Sequence, residues 1–253
     1  MKKTYRICRI IRALTGKRRP YTTAILLAGG VGSRMYRSDG QTKQMLPVCG
    51  TPMLVHTARA FSSCPYIDDI VIVARGEELS TVREMMEAYD VAKIRCIVSG
   101  GETRQESALA GFEAINAEKC RFVAIHDAAR CLICPEQIAD VVSAAYAYGA
   151  AAAACRIYDT VKRANSKGEI LETLDRETLW RAQTPQVFDT TLYRAAAYTA
   201  KAANFVVTDD TMLCERIGQA VRLVDCGTEN IKVTVEEDLW LAEATLRQRE
   251  EKK

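Results

Sequence analysis

A glycine-rich turn followed by two cationic residues is the part of the sequence that points most directly to chemistry. Residues 27–35 read Leu-Ala-Gly-Gly-Val-Gly-Ser-Arg-Met, and Lys43 follows shortly after Arg34. Glycine has no Cβ atom, so backbone amides in such a turn can approach a ligand closely. Successive amides form a concavity that binds anions. With the charges of Arg34 and Lys43, the turn suits a polyphosphate on which negative charge builds as a bridging bond breaks.

The turn does not match the two commonest nucleotide-binding motifs. A P-loop requires Gly-Lys-Ser/Thr, which is absent here, and the dinucleotide fingerprint requires a glycine where Met35 stands. A glycine-rich turn can also be no more than a tight connection between a strand and a helix. Because glycines and side-chain cations occur together, the pattern favours a nucleoside triphosphate held by both backbone and side chains.

Asp127 is the candidate metal ligand. It ends an apolar run, where a carboxylate needs a partner or solvent. Mg²⁺ is often bound by one or two carboxylates together with substrate phosphates. The alternative is a turn or helix-capping aspartate, and the sequence leaves that open. His126 and His56 are interpreted as structural histidines.

No pairing of a nucleophile with a base is evident in the sequence, since neither Gly-x-Ser-x-Gly nor His-Glu-x-x-His occurs. This pattern favours a reaction in which the substrate supplies its own nucleophile and the protein supplies position and positive charge.

The elements that must position these residues alternate between strand-like and helix-like segments from Tyr21 onward. This alternation predicts an α/β fold with a Rossmann-like, mostly parallel sheet and helices on both faces. Ligands of such sheets bind at the carboxyl ends of the strands, which is where the glycine turn, Asp127 and a second turn at residues 100–104 fall. Strands are expected at 23–28, 67–74, 92–99, 121–126, 150–157 and 220–224. Helices are expected at 52–61 with Thr51 as N-cap, 77–89, 103–117, 135–148, 191–202, 209–218 and 236–248.

The alternation breaks between Tyr158 and Thr184. Residues 158–174 predict a protruding β-hairpin with a polar turn, and no further strand is assigned before the helix at 191–202. An excursion of this size must bury its apolar side somewhere, and a second copy of the chain is a candidate.

Composition limits the class of protein. The 253 residues are 48% hydrophobic and 26% charged, which suits one sizeable domain with a small appendage. A net charge of +3 is too small to favour nucleic acid as a partner, and no apolar window is long enough to predict a membrane span. Ten scattered cysteines without a signal peptide favour a reducing, cytoplasmic location, and the lone pair Cys131 and Cys134 lacks the partners of a zinc site.

Residues 1–20 differ from the remainder because they are basic and contain no acidic residue. They could form an amphipathic helix that touches a membrane or a partner. The preferred interpretation is a dispensable basic extension, with residues 21–253 forming one domain.

Several motifs, in order along the chain, together resemble one enzyme family. They are residues 27–35, Lys43-Gln44, residues 100–107 (Gly-Gly-Glu-Thr-Arg-Gln-Glu-Ser), residues 126–130 (His-Asp-Ala-Ala-Arg), residues 159–163 (Asp-Thr-Val-Lys-Arg), residues 184–186 (Thr-Pro-Gln), residues 208–210 (Thr-Asp-Asp) and residues 230–234 (Asn-Ile-Lys-Val-Thr). In this series the chain resembles the 2-C-methyl-D-erythritol 4-phosphate cytidylyltransferases of the non-mevalonate isoprenoid pathway. The first motif alone is common to many sugar nucleotidyltransferases, whereas the full series is specific.

The resemblance implies a nucleotidyltransferase fold of the GT-A-like type, with CTP and a polyol phosphate as substrates, Mg²⁺ as cofactor and a homodimer joined by the hairpin arm. It assigns catalytic roles to Arg34, Lys43, Arg176 and Lys232, and metal binding to Asp127. It assigns nucleotide and substrate binding to Ala28, Gly29, Gly30, Gly32, Gly101, Glu102, Ser107, Arg130, Thr160 and Thr184.

Two alternatives remain open at this point. The glycine turn, Lys-Gln and Thr-Pro-Gln are also found in ribitol-5-phosphate cytidylyltransferases, although residues 127–130 and the basic pair Lys162-Arg163 favour the methylerythritol enzymes. The second alternative is a non-catalytic nucleotide-binding protein on the same scaffold. Such a protein should lack the two cations, whereas Arg34 and Lys43 are both present here. One departure from the family pattern is Cys131, which stands where proline is common.

Overall fold

The protein is described by a computed structural model that covers residues 19–29 and 42–252. The strands are β1 (Thr22–Leu27), β2 (Pro47–Val48), β3 (Thr51–Pro52), β4 (Asp69–Ala74), β5 (Ile94–Ser99), β6 (Phe122–Asp127), β7 (Ala150–Arg156), β8 (Lys162–Ala164), β9 (Ile170–Thr173), β10 (Trp180–Asp189) and β11 (Arg222–Asp225). The helices are α1 (Met53–Ser63), α2 (Leu79–Ala88), α3 (Arg104–Glu113), α4 (Pro135–Tyr148), α5 (Thr190–Ala202), α6 (Thr211–Arg216) and α7 (Glu236–Glu251). Short 3₁₀ turns occur at Lys43–Met45, Gly76–Glu78 and Arg176–Thr178.

Seven strands form one sheet in the order β11-β7-β10-β6-β1-β4-β5. Pairs β6–β1, β1–β4, β4–β5 and β7–β11 are parallel, while β10 runs antiparallel to both of its neighbours. The predicted α/β fold with a mostly parallel sheet is therefore confirmed. Because β1, β5 and β6 run in the same direction, their carboxyl ends meet at one edge, which is where ligands of such sheets bind.

Helices cover both faces of the sheet, so the central strands are buried on both sides. Helices α1, α2 and α4 cover one face, where Phe61 is fully buried. Helices α3, α5 and α6 cover the other, where the rings of Phe112 and Tyr193 lie 5.0 Å apart. Alternation along β1 sends Leu26 to the first face and Ile25 to the second.

Helix α3 is held close against the sheet and starts at its carboxyl edge. The Thr103 hydroxyl accepts the N–H of Glu106 at 3.1 Å, and the Glu106 carboxylate accepts the N–H of Thr103 at 3.2 Å, which forms a capping box. A Cβ atom at Gly111 would clash with Ile25 and lie 2.7 Å from Val73, so glycine permits the close approach. The first residue of the helix, Arg104, is thereby fixed beside the strand ends.

Strand β10 was not expected from the sequence, although it lies between β6 and β7. Its sequence hides the strand because Pro185 cannot donate a ladder hydrogen bond, and the register with β7 shifts between Ala182 and Gln186. Its central polar residues, Gln183 and Thr184, are buried. Their side chains hydrogen-bond to residues of the candidate site. Because these buried positions are polar, the strand lacks the alternation of apolar and polar residues that marks an ordinary strand.

Several predicted helices have different bounds in the structure. The helix expected at 52–61 with Thr51 as its cap begins at Met53, and Thr51–Pro52 pairs instead with Pro47–Val48. Helix α3 ends at Glu113 because the Asn116 side chain organises a turn just beyond it. Helix α6 is also shorter than the expected 209–218.

Within residues 158–174, where the sequence predicts a hairpin, strands β8 and β9 pair antiparallel. In its turn, the Asn165 side-chain oxygen accepts the N–H groups of Lys167 and Glu169, each at 3.0 Å. Both strands are exposed over their whole length, and Ile170 and Leu171 are 65% and 55% exposed. The hairpin therefore protrudes from the sheet and carries uncovered apolar side chains.

The C-terminal helix α7 packs through Ala242 on a small separate cluster that includes Val48, Leu132 and Val233. This packing holds residues 230–235 beside the carboxyl edge of the sheet. Among the helices of the described ranges, none combines the length and apolar character needed to cross a bilayer.

Candidate active site

The carboxyl ends of β1 and β6 are adjacent and bring the first turn next to Asp127. Leu27 and Asp127 are paired across the two strands. The N–H of Ala128 donates to the carbonyl of Leu27 at 3.0 Å, and the N–H of Ala28 donates to Val73 at 2.7 Å. Ala28 and Gly29 therefore lie beside Asp127. Gly30, Gly32 and Arg34 fall outside the described residues.

The Asp127 carboxylate is held between two cations. One oxygen lies 2.8 Å from the Lys232 ammonium, and the other accepts the Arg104 Nε–H at 3.1 Å. The side chain is only 11% exposed. Burial alone would raise the pKa of Asp127, but Arg104 and Lys232 outweigh burial and hold that pKa well below its usual range. Asp127 is therefore a carboxylate at neutral pH.

Arg104 joins Asp127 to a second, fully buried carboxylate. Its Nη1 donates to Asp210 at 2.7 Å, and the Tyr193 hydroxyl donates to the other Asp210 oxygen at 3.1 Å. Burial raises the pKa of Asp210 against the opposing effect of Arg104. Burial lowers the pKa of Arg104, but the two carboxylates outweigh it and raise that pKa. Arg104 is thus a permanent cation that links residues far apart in the chain.

The Lys43 side chain contacts the segment that carries Lys232. Its ammonium donates to the Val233 carbonyl at 2.7 Å. The Val233 N–H in turn donates to the Ala129 carbonyl at 2.8 Å, beside Asp127. Since Val233 follows Lys232 in the chain, the contacts of Lys43 and Lys232 meet on one short segment.

A layer of buried polar residues hydrogen-bonds to the backbone of Asp127. The Thr184 hydroxyl accepts the Asp127 N–H at 3.1 Å and lies 2.9 Å from His126 Nδ1. His126 Nε2 lies 3.3 Å from the Arg130 carbonyl, which can only accept, so Nε2 carries the proton and Nδ1 accepts from Thr184. Burial lowers the pKa of His126 to about 3. His126 is a neutral structural residue, as the sequence indicated.

Arg130 connects this layer to the segment that carries Lys232. Its Nη1 donates to the Asn230 carbonyl at 2.9 Å, and the Asn230 side chain donates to the Thr184 carbonyl at 2.9 Å. Burial lowers the pKa of Arg130. The backbone N–H of Arg130 donates to the Asp127 carbonyl at 2.9 Å, so the turn stays closed with Cys131 at the following position.

The turn after β5 places the next predicted group. A Cβ atom at Gly100 would lie 2.6 Å from the Ser107 hydroxyl, so this close approach requires glycine. The Ser107 hydroxyl lies 3.4 Å from the Gly101 carbonyl, and the N–H of Glu102 donates to Glu106 at 2.8 Å. Gly101, Glu102 and Ser107 therefore surround the start of α3, whose first residue contacts Asp127.

Two predicted residues lie apart from this cluster. Thr160 is exposed, and exposed Arg176 donates from Nη1 to the Tyr158 carbonyl at 2.9 Å, at the base of the hairpin. Within the described part of one chain, neither makes a hydrogen bond or ion pair with the cluster around Asp127. Arg104 and Asp210, in contrast, belong to the cluster, although no role was predicted for them. Their positions inside the Gly-Gly-Glu-Thr-Arg and Thr-Asp-Asp motifs were the available signal.

The donor set near Asp127 limits how a metal could bind. Residues 19–29 and 42–252 contain no group of three or more His, Cys, Asp or Glu side chains arranged for a metal ion. Asp127 is ionised, and each oxygen keeps a lone pair beyond its contact with Lys232 or Arg104. One carboxylate fits an ion such as Mg²⁺ that takes most of its ligands from phosphates and water.

Comparison with known proteins decides the family. A family model described as 2-C-methyl-D-erythritol 4-phosphate cytidylyltransferase matches residues 22–248. The chain belongs to this family. The matched span contains every motif of the series and leaves out the basic N-terminal residues.

Among its relatives, the methylerythritol phosphate cytidylyltransferase of Syntrophus aciditrophicus is 40% identical over 233 residues, covering 92% of this chain and 98% of the relative. The cytidylyltransferase of Geobacillus kaustophilus is 39% identical over 226 residues, with 89% and 97% covered. Solved structures agree. The Anaerococcus prevotii 4-diphosphocytidyl-2C-methyl-D-erythritol synthase has a TM-score of 0.80 at 30% identity, covering 90% of this chain and 96% of its own.

Proposed function

We propose that this chain transfers the cytidylyl group of CTP to 2-C-methyl-D-erythritol 4-phosphate. A phosphate oxygen of the sugar phosphate bonds to the α-phosphorus of CTP, and the bond from that phosphorus to the bridging oxygen breaks. Pyrophosphate leaves, and the product is 4-diphosphocytidyl-2-C-methyl-D-erythritol. The observation that carries the proposal is the pairing of Lys232 and Arg104 with Asp127 at the carboxyl edge of the sheet, with Lys43 bound to the residue after Lys232, in a chain of this family.

The reaction needs charge stabilisation more than a protein nucleophile. The attacking phosphate is already an anion, so no side chain must be deprotonated to start the reaction. Negative charge grows on the departing pyrophosphate, and a cation held in place beforehand stabilises it. We assign that role to Lys43, supported by its contact at Val233, and to Arg34 on sequence grounds.

The attacking sugar phosphate is assigned to a second set of residues. Lys232 is the cation nearest to Asp127 and can exchange that carboxylate for an incoming phosphate. Arg176 is proposed as a further cation and Thr160 as a hydroxyl donor. Thr184 is assigned to this set through its hydrogen bond to the Asp127 N–H, which fixes the backbone of that residue.

The nucleotide is assigned to the turns after β1 and β5. Ala28, Gly29 and Gly101 are assigned to the base, because a pocket made of backbone groups and small side chains can admit a pyrimidine and exclude a purine sterically. Glu102 and Ser107 lie at the second of these turns, next to the start of α3. Gly30, Gly32 and Arg130 complete the proposed set, and Arg130 is held there by Asn230.

We assign a Mg²⁺ ion to Asp127. The ionised state and single-carboxylate geometry of Asp127 support this assignment. Bound there with the triphosphate, the ion would neutralise phosphate charge and polarise the α-phosphorus. Arg104 would keep the carboxylate oriented toward the substrate side of the sheet edge.

The hairpin arm is proposed to join two copies of the chain. Its exposed apolar side chains, Ile170 and Leu171, would be buried by contact with the second copy. Thr160 and Arg176 lie at its base and make no polar contact with the Asp127 cluster among the described residues of one chain. An arm that embraces a partner subunit would deliver them to the partner's site, so each active site would be shared.

A cytoplasmic location is proposed for the reaction. The nine cysteines among the described residues are all free thiols, which accords with a reducing compartment.

A pyrophosphate-release assay with a panel of substrates tests the proposed activity. CTP, UTP and ATP are each supplied with methylerythritol phosphate or with ribitol 5-phosphate. Pyrophosphate is expected with CTP and methylerythritol phosphate. Release with ribitol 5-phosphate alone would reverse the substrate assignment, and CTP binding without any release would indicate a non-catalytic protein.

A further inference from the structure

Glu78 is a buried carboxylate that contacts the chain immediately before Lys43. It ends the 3₁₀ turn after β4, and only 9% of the residue is exposed. Its Oε1 accepts the backbone N–H of Thr42 at 3.0 Å. The partner in this contact is a backbone group, so the contact fixes the path of the chain.

Thr42 is held on both sides of its own backbone. Its N–H is bound by Glu78, and its carbonyl accepts the N–H of Met45 at 3.0 Å, which closes the 3₁₀ turn Lys43–Met45. The contact with Glu78 therefore determines where this turn begins, and with it the position of the Lys43 Cα atom.

The Lys43 side chain must span from this turn to the segment after Lys232. Its ammonium contacts the Val233 carbonyl at 2.7 Å. A displaced turn would move the ammonium away from that position. Because transition-state stabilisation depends on charges that are already in place, a small displacement lowers the rate strongly.

Packing alone does not account for a carboxylate at this position. Among the described residues, the second oxygen of Glu78 is buried without a hydrogen-bond partner, and so are the Thr42 hydroxyl and the Gln44 side-chain oxygen. Burying unpartnered polar atoms destabilises a fold, and an apolar side chain would fill the space without that penalty. What an apolar side chain could not supply is the acceptor for the Thr42 N–H.

We infer that Glu78 is a positioning residue for Lys43, acting through the backbone of Thr42. The inference rests on the proposed function for the catalytic role of Lys43, while the contact between Glu78 and Thr42 stands independently. Glu77 provides a matched control, because it is the adjacent acid, its side chain is 63% exposed, and it pairs only with Arg75 in the described structure.

Steady-state pyrophosphate release is measured for the full chain and for Glu78→Ala, Glu78→Gln and Glu77→Ala. Glu78→Ala should lower kcat by about 10-fold to 100-fold, with the KM for the sugar phosphate nearly unchanged. Glu78→Gln retains an acceptor oxygen and should recover most of kcat, and Glu77→Ala should match the unmodified chain. Equal kcat values for Glu78→Ala and Glu77→Ala would overturn the inference.

The double variant Lys43→Ala/Glu78→Ala separates positioning from a general structural defect. If Glu78 acts through Lys43, the double variant should be about as active as Lys43→Ala alone. A further loss equal to that of Glu78→Ala would contradict the inference. Should Glu78→Ala fail to fold, Glu78→Asp, which withdraws the carboxylate by one methylene group, takes its place in the same cycle.

Amide hydrogen exchange tests the contact without reference to activity. The Thr42 amide should exchange at least about tenfold faster in Glu78→Ala than in Glu77→Ala, because its acceptor is lost. Equal exchange rates would overturn the inference even in an active enzyme. An unmodified chain that releases no pyrophosphate would refute the proposed function, and the exchange result would then decide the positioning contact alone.

Discussion

The Lys232 ammonium lies 2.8 Å from the Asp127 oxygen that Arg104 does not contact, so the carboxylate is bracketed by cations on both sides. This pairing neutralises Asp127 before any phosphate arrives. An incoming phosphate or metal ion must therefore compete for partners that already hold each other. The behaviour of this pair underlies the first prediction.

Asp127→Asn should weaken the dependence of the reaction on Mg²⁺. The amide cannot supply an anionic ligand, so the Mg²⁺ concentration for half-maximal pyrophosphate release should rise about tenfold or more. Asp225→Asn, at the exposed end of β11, is the control. An unchanged metal titration would remove Asp127 from the set of ligands.

Lys43→Ala should lower kcat much more than it weakens CTP binding. Its charge matters most when negative charge has moved to the leaving pyrophosphate, so we expect a loss of about 100-fold or more in kcat. Rapid-quench turnover and CTP titration measure the two quantities separately. A loss confined to the Michaelis constant would indicate ground-state binding instead.

Arg104→Gln should destabilise the fold strongly. The substitution leaves the fully buried Asp210 without its cation, and breaking a buried pair in this way costs about 3–5 kcal/mol. Arg121→Gln breaks the pair with Asp189, in which the arginine side chain is 62% exposed, and should cost at most about 1 kcal/mol. Urea unfolding of both variants gives the difference. Equal free energies of unfolding would show that Arg104 does not have the structural role described.

Stability should fall on mild acidification because of His126. Its pKa is about 3 in the folded chain, against 6.5 for an ordinary histidine. The unfolded chain therefore binds the proton first, so stability decreases as pH falls below about 6.5, by at most about 1.4 kcal/mol per pH unit. Unfolding free energies between pH 7 and pH 5, measured on ligand-free protein, give the slope.

His126→Asn should flatten the acid side of the stability profile measured for the unmodified chain. A profile that keeps its slope without His126 would assign the effect to other groups.

Much of the site could be predicted from the sequence because its residues follow the strands directly. The glycine turn and Asp127 end apolar runs, and parallel strands bring such ends to one edge. In the structure Lys232 contacts Asp127 at this edge, and Lys43 contacts Val233. The catalytic roles of Lys43, Lys232 and Arg34 stay predictions, and Arg34 lies outside the described ranges.

The remaining features depend on contacts that local patterns do not encode. Arg104 stands in a glycine-rich turn, and nothing near it in the sequence indicates that its partner is Asp210, 106 residues away. Strand β10 was missed because its polar residues, such as Thr184, are buried to serve the site. Glu78 looks like an ordinary surface acid beside Glu77, and its role depends on a backbone group distant in sequence.

The most direct test of the central claim is phosphorus NMR of the full chain mixed with CTP, Mg²⁺ and 2-C-methyl-D-erythritol 4-phosphate. We predict that the monophosphate signal of the sugar is replaced by the paired signals of a diphosphate diester, with an equal amount of pyrophosphate. If CTP and the sugar phosphate remain intact in this mixture, or if CTP is consumed only when ribitol 5-phosphate replaces the sugar phosphate, the assigned chemistry is contradicted.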